Sequence, residues 1–259
     1  MRLRWSLPLS AASALLLLAC TSLPVHAQTQ AHLNPLVDLH AANKPVFGLY
    51  APANPRGRGG RGGRGAPGDP SQPVPPPTPQ KSPAELAADA AAYKLSDYLF
   101  DGSMEGDFDR GYSGFAEFMK GMVMAVPPAA RLKYPVMVKT HEIAENPTLA
   151  AERIGRQLNL GVAGIVFVGV ESADEVRTGL AAMRFKSNGG TRPDDVGSAP
   201  EFWGLSASDY RSKADLWPTN PKGELVNWTI VESKEGLSHI REIAAVKGIG
   251  TLFPGAGTL

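Results

Sequence analysis

The residue types most suggestive of chemistry lie in His141-Glu142-Ile143-Ala144-Glu145. A zinc hydrolase of the H-E-x-x-H kind needs a second histidine one helical turn on, so that two imidazoles face one ion; position 145 holds Glu145, and the motif is absent. Gly189-Gly190 and Gly255-Ala256-Gly257 are small enough for a backbone to approach a phosphate, but no Walker lysine accompanies them and both read as turns. The run from Arg56 to Arg64 alternates arginine with glycine like a single-stranded nucleic-acid arm. Four arginines in a chain of net charge +1 make a small footprint, and the adjoining Pro73-Val74-Pro75-Pro76-Pro77 favours a solvated linker, so no nucleic-acid partner is expected. Cys20 is the only cysteine, which leaves no intrachain disulfide. Lys139 and Glu232 remain, each closing an apolar run; taken alone they read as a lysine reaching towards solvent and a surface carboxylate.

Periodicity supplies the elements that would position these groups. Residues 34–50 predict a short helix and then the strand Pro45-Val46-Phe47-Gly48-Leu49-Tyr50. Residues 51–82 form a Gly/Arg- and Pro-rich insertion. Beyond it, helices are expected over 84–94, 112–126 and 148–160, from Ser172 onward, and over 234–246. Ser82 and Ser172 are the expected N-caps of two of them, Ser172 with Glu175 at the capping-box position. Strands are expected at 98–101, 135–139, 163–170, 225–232 and 250–253. The stretch 163–170 is apolar almost throughout, as in a strand covered on both faces. Strands alternating with helices imply a parallel α/β sheet, and about six strands with five helices suit either an incomplete eight-fold barrel or a doubly wound sheet.

The N-terminus reads as a targeting segment. Arg2 and Arg4 precede a short apolar core, and Val25-His26-Ala27 fits a small-residue cleavage site, which makes 1–27 a secretory signal peptide. Leu17-Leu18-Ala19-Cys20 also fits a lipobox, in which Cys20 would carry a lipid anchor. Either way the mature protein is expected to be exported, periplasmic or extracellular. No later apolar run approaches the ~20 residues of a membrane span, so that part is expected to be soluble.

Three stretches carry a family resemblance. They are Asn34-Pro35-Leu36 with Lys44-Pro45-Val46-Phe47-Gly48-Leu49; Leu160 to Val168 with Glu171-Ser172-Ala173-Asp174-Glu175-Val176 and Met183-Arg184-Phe185; and Ile230-Val231-Glu232-Ser233 with Ile240 to Ile249 and Leu252-Phe253-Pro254-Gly255-Ala256-Gly257. In order and spacing the chain resembles the HpcH/HpaI aldolase and citrate lyase family. The resemblance implies a (β/α)8 TIM barrel of the pyruvate/phosphoenolpyruvate-binding type, with about six of eight strands present in 34–50 and 83–259. It implies a carbon–carbon lyase of aldolase type acting on 2-oxoacids or 2-hydroxy acids. A divalent metal (Mg, Mn or Co) would stabilise the enolate, and a homo-oligomer is the implied assembly.

Carried over residue by residue, Glu232 matches the metal-binding glutamate after the fifth strand. The second metal carboxylate of the family falls on Thr258, a neutral ligand, which weakens a site for a hard cation. Gly255 and Ala256 join Lys139 in the substrate-binding set; Lys139 stands where the family has arginine and keeps the charge without the bidentate fork. Glu105 falls at the position of the general-base histidine, where an ordinary carboxyl pKa near ~4.3 makes a weak base unless it is buried. His141 is a possible substitute base. Asn159 replaces the aspartate that orients the base, and Arg184 and Arg192 align near the substrate mouth. So many replacements keep a second class open: a non-catalytic exported protein that retains the barrel and binds an acidic metabolite. The family's barrel continues through two further strands, so residues 83–259 are expected to be a fragment of the complete domain.

Overall fold

A computed structural model describes residues 31–54 and 79–255. The signal segment with Cys20, the Arg56–Arg64 run, Ala256 and Thr258 lie outside these residues. Six strands, β1 (Gly48–Tyr50), β2 (Tyr98–Asp101), β3 (Val136–Lys139), β4 (Gly164–Phe167), β5 (Val226–Val231) and β6 (Thr251–Pro254), pair in parallel in the order of the sequence. That order decides between the two architectures left open above. A doubly wound sheet reverses its strand order at a switch point; a barrel adds each strand beside the last. The sheet is therefore a curled, partial (β/α) barrel.

The strands bury two separate cores. Side chains alternate between the faces. Val136, Val138, Ile165, Phe167 and Val231 join the outer core beneath the helices. Met137, Val166, Val226, Trp228 and Ile230 point to the interior with Tyr98, Phe100 and Phe253. By the same alternation Lys139 belongs to the inner face, and Glu232 continues the inner-facing series of β5.

Helix α1 (Pro35–Ala41) closes the interior near the start of β5. Its Leu36 and Val37 enter the inner core, and its cap Asn34 ties it to the residues before β5: the Asn34 backbone N–H donates to Glu224 Oε2 at 3.0 Å and its Nδ2 to the Glu224 carbonyl at 2.9 Å.

The crossover helices follow local signals. Helix α2 (Pro83–Ala92) begins at a complete capping box, Ser82 with Glu85. Helix α3 (Phe108–Ala125) starts four residues earlier than the periodicity predicts, at the Asp107 cap. Gly111 and Gly114 disguise this turn, whereas burial of Phe108 and the Gly111 backbone against Ser103 stabilises it. A short α4 (Pro128–Arg131) follows. Helix α5 (Pro147–Leu158) is capped by Asn146 and α6 (Ala173–Met183) by Ser172.

The long connection from 184 to 225, where periodicity predicts no element, holds α7 (Ala199–Trp203) and α8 (Ala207–Lys213). It is fixed by tertiary bonds such as Trp203 Nε1 to the Gly161 carbonyl at 2.8 Å. The expected helix over 234–246 is two, α9 (Lys234–Ser238) and α10 (Ile240–Ala244), broken at His239, whose Nδ1 lies 2.9 Å from the Glu171 carbonyl. No helix among the described residues is long and apolar enough to cross a membrane.

Candidate active site at the carboxyl ends of the strands

In a barrel the groups free to act on a ligand stand where the strands end. The structure gathers three of the predicted residues there. Glu105, in the loop after β2, takes the Lys139 ammonium on both oxygens, at 2.8 and 2.9 Å. His141, two residues past β3, sets Nδ1 2.7 Å from the Glu105 carbonyl and Nε2 2.5 Å from Glu145 Oε2. A carbonyl only accepts, so Nδ1 carries a proton; the carboxylate at Nε2 favours a second one. The Glu105 carbonyl first and the Glu145 carboxylate second push the His141 pKa above its ordinary value. The ring therefore holds a proton more firmly than a free imidazole, and both of its nitrogens are engaged. Glu145 was not among the predicted residues, although its spacing four residues from His141 is a visible signal.

Glu232 stands with a second group. Its Oε1 accepts from the Gly169 N–H at 2.9 Å. Gly169, two residues past β4, takes a left-handed conformation (φ +59°), and a Cβ there would lie 2.9 Å from Glu142 Oε1. Gly255 leaves room for the same carboxylate, since a Cβ at 255 would meet Glu232 Cβ at 2.5 Å and Oε2 at 2.7 Å. By register Lys139 pairs with Val166 and Val166 with Trp228, which precedes Glu232 by four residues.

Lys139 also lines a half-open pocket of about 340 Å³ on the inner face of the sheet, whose other walls include Tyr50, Tyr98, Phe100, Trp228 and Phe253. These aromatic residues were not singled out in the sequence. Their signal was present as alternate positions of the strand runs, as in Tyr98 and Phe100.

Three further expectations are corrected. Arg184 and Arg192 do not stand at the mouth. Arg184 forms a two-pronged pair with Asp215, Nε to Oδ1 at 2.7 Å and Nη2 to Oδ2 at 3.1 Å, in the connection leading into β5. Burial pushes the Asp215 carboxyl up, but bonds from Arg184, Asn220 and the Leu216 N–H together hold it below its ordinary value. Arg192 is 1% exposed, stacks 4.1 Å from the Phe185 ring and donates to Asn159 Oδ1 at 2.6 Å. Asn159 in turn caps the C-terminal end of α5, the end that leads into the start of β4. That position lies at the opposite end of the unit from the strand carboxyl ends, so Asn159 orients no base there.

A divalent ion of the expected kind takes six or more oxygen ligands. Glu232 is a suitable arm, but no group of three or more His, Cys, Asp or Glu side chains among the described residues is arranged to hold an ion. Thr258 and Ala256 lie outside those residues. The described donor set does not by itself fit a divalent metal.

No protein-family model matches the sequence, and no curated protein matches it. Solved structures do. An HpcH/HpaI aldolase/citrate lyase family protein from Burkholderia cenocepacia J2315 superposes with a TM-score of 0.56 at 20% identity, over 85% of this chain and 68% of that one. The fold is that of the HpcH/HpaI aldolase and citrate lyase structures. Two further solved structures share the fold. The citrate synthase SbnG gives 0.52 at 16% identity, over 88% of this chain and 67% of its own. The HpcH/HpaI aldolase from Desulfitobacterium hafniense DCB-2 gives 0.50 at 16% identity, over 84% and 64%. The chain thus spans about two thirds of the length of these three structures.

Proposed function

We propose that this protein is a carbon–carbon lyase of aldolase type acting on 2-oxoacids, exported by its N-terminal segment. The observation that carries the reading is Glu232, held at the carboxyl end of β5 by the Gly169 N–H on an HpcH/HpaI-like fold. On the resemblance Glu232 would be one arm of a divalent-metal site, whose remaining ligands the described residues do not supply. The steps assigned to this chain are those of its own side chains. Lys139 offers an ammonium to the substrate carboxylate, and Glu105 holds that ammonium in place. His141, whose pKa is raised by the same two partners, binds a proton beside Glu105 more readily than a free imidazole and can pass it to a substrate. A homo-oligomer is the assembly that accompanies this reading.

The test is exchange of the methyl protons of pyruvate with deuterated solvent, followed by NMR, with Mg, Mn or Co present. Exchange that falls at least about tenfold in Glu232→Gln is the expected result. No exchange by the folded protein overturns the reading.

One observation favours a second reading, a carboxylate-binding protein without turnover. Glu105 and His141, the two candidate bases, are each engaged by an ionic partner. This reading expects 2-oxoacids to raise the melting temperature with no exchange at all.

A further inference from the structure

The inner-face pocket is far larger than pyruvate requires. Spaces of about 300–1,000 Å³ hold drug-sized ligands, and this one measures about 340 Å³. Lys139 is its single charged wall residue, and aromatic rings make up much of the rest. Two pairs of those rings pack against each other. Tyr50 meets Phe100 edge-on at 5.0 Å, and Tyr98 meets Trp228 edge-on at 4.8 Å. Trp228 is fixed from behind, its Nε1 donating at 2.9 Å to His40 Nε2 on the plugging helix α1. A wall arranged before binding loses little side-chain entropy when a ligand arrives.

The charge is also partly available. An ammonium has three donors, and the two Glu105 oxygens account for two of them. Glu105 lines a separate cleft on the β2–α3 side, so the ion pair stands in the wall between the two spaces.

We propose that this cavity binds a monocarboxylic acid carrying an aromatic or similarly bulky apolar body, with the ring among Phe100, Trp228 and Phe253 and the carboxylate on Lys139. The proposal deepens the 2-oxoacid reading by giving the substrate its class, and rests on that reading's carboxylate-binding role for Lys139. Glu105 is a positioning residue that competes with the ligand for the ammonium.

The experiment is calorimetric titration of the full chain with three probes: 3-phenylpropionate, propionate, and 3-phenylpropanol, which has the ring and no carboxylate. The expected result is 3-phenylpropionate binding at least about tenfold tighter than either of the others. Lys139→Met should abolish the preference of acid over alcohol, with near-UV circular dichroism unchanged. Glu105→Gln should tighten binding of the acid severalfold, because the ammonium loses its competitor, an effect that a merely structural role for Glu105 would not produce. Equal affinity for propionate and 3-phenylpropionate, no binding of the aromatic acid to folded protein, or an unchanged preference in Lys139→Met would each overturn the proposal. The two readings fail separately. Pyruvate exchange without aromatic preference removes this inference and keeps the lyase; aromatic preference without exchange does the reverse.

Discussion

Before β5, Arg184 grips Asp215 through two bonds, and Asp215 is 3% exposed. After β3, Lys139 grips Glu105 through two bonds of nearly equal length, yet their side chains stay 21% and 41% exposed. The geometries are alike and the surroundings differ. Asp215 takes two further bonds, from Asn220 Nδ2 and the Leu216 N–H, which satisfy its remaining lone pairs. The Lys139 pair borders a cavity and a cleft, where water and ligands compete for it. A buried pair that loses one partner leaves an uncompensated charge, whereas an exposed one exchanges its partner for solvent. The end near the plugging helix is thus built for stability, and the end where the strands finish is built for exchange.

The sharpest way to break this contrast is Arg184→Ala, expected to cost about 3 kcal/mol in urea unfolding because it strands the buried Asp215 carboxylate. A cost below about 1 kcal/mol would erase the distinction between the two ends. Asn34→Ala removes the cap of α1 and its tie to Glu224, with an expected loss of about 1.5 kcal/mol by the same measurement. Lys139→Met, on the exposed side, should change unfolding by no more than about 0.5 kcal/mol while altering carboxylate binding.

The smallest effects are those of pH. The Asp215 carboxyl is held below its ordinary value, so its stabilisation is complete above about pH 4 and is lost as pH falls further. The His141 pKa is raised, so its contribution is complete below about pH 6.5 and disappears as pH rises through the elevated value. The stability difference between the wild type and His141→Gln should therefore shrink as pH rises above about 6.5, with the opposite sign of slope to Asp215→Asn in acid. A flat difference would mean that the Glu145 partner is too exposed to matter.

Much of the fold was legible in the residues. The Ser82 and Ser172 caps, the apolar run ending at Phe167 and the alternation of strand with helix all correspond to observed elements. The 184–225 connection was not, because α7 and α8 are short and rely on partners distant in sequence, such as Trp203 bonding to Gly161. In the site, Glu232, Lys139 and Glu105 were legible as types at strand ends. Their grouping was not: nothing in the spacing shows that Glu105 takes up Lys139, or that Glu232 rests on the Gly169 N–H.

The sequence by itself determined the parallel α/β pattern and the supply of charged groups at strand ends, because period and capping are local properties of the chain. Tertiary structure alone decided three things. Strand order made the sheet a partial barrel, curvature turned alternate aromatic side chains into one inner-face pocket, and burial made Arg192 a support and left Lys139 within reach of a ligand. Each of these depends on which residues meet across the fold, and the free energy of a charge is fixed by those neighbours and by the water they exclude.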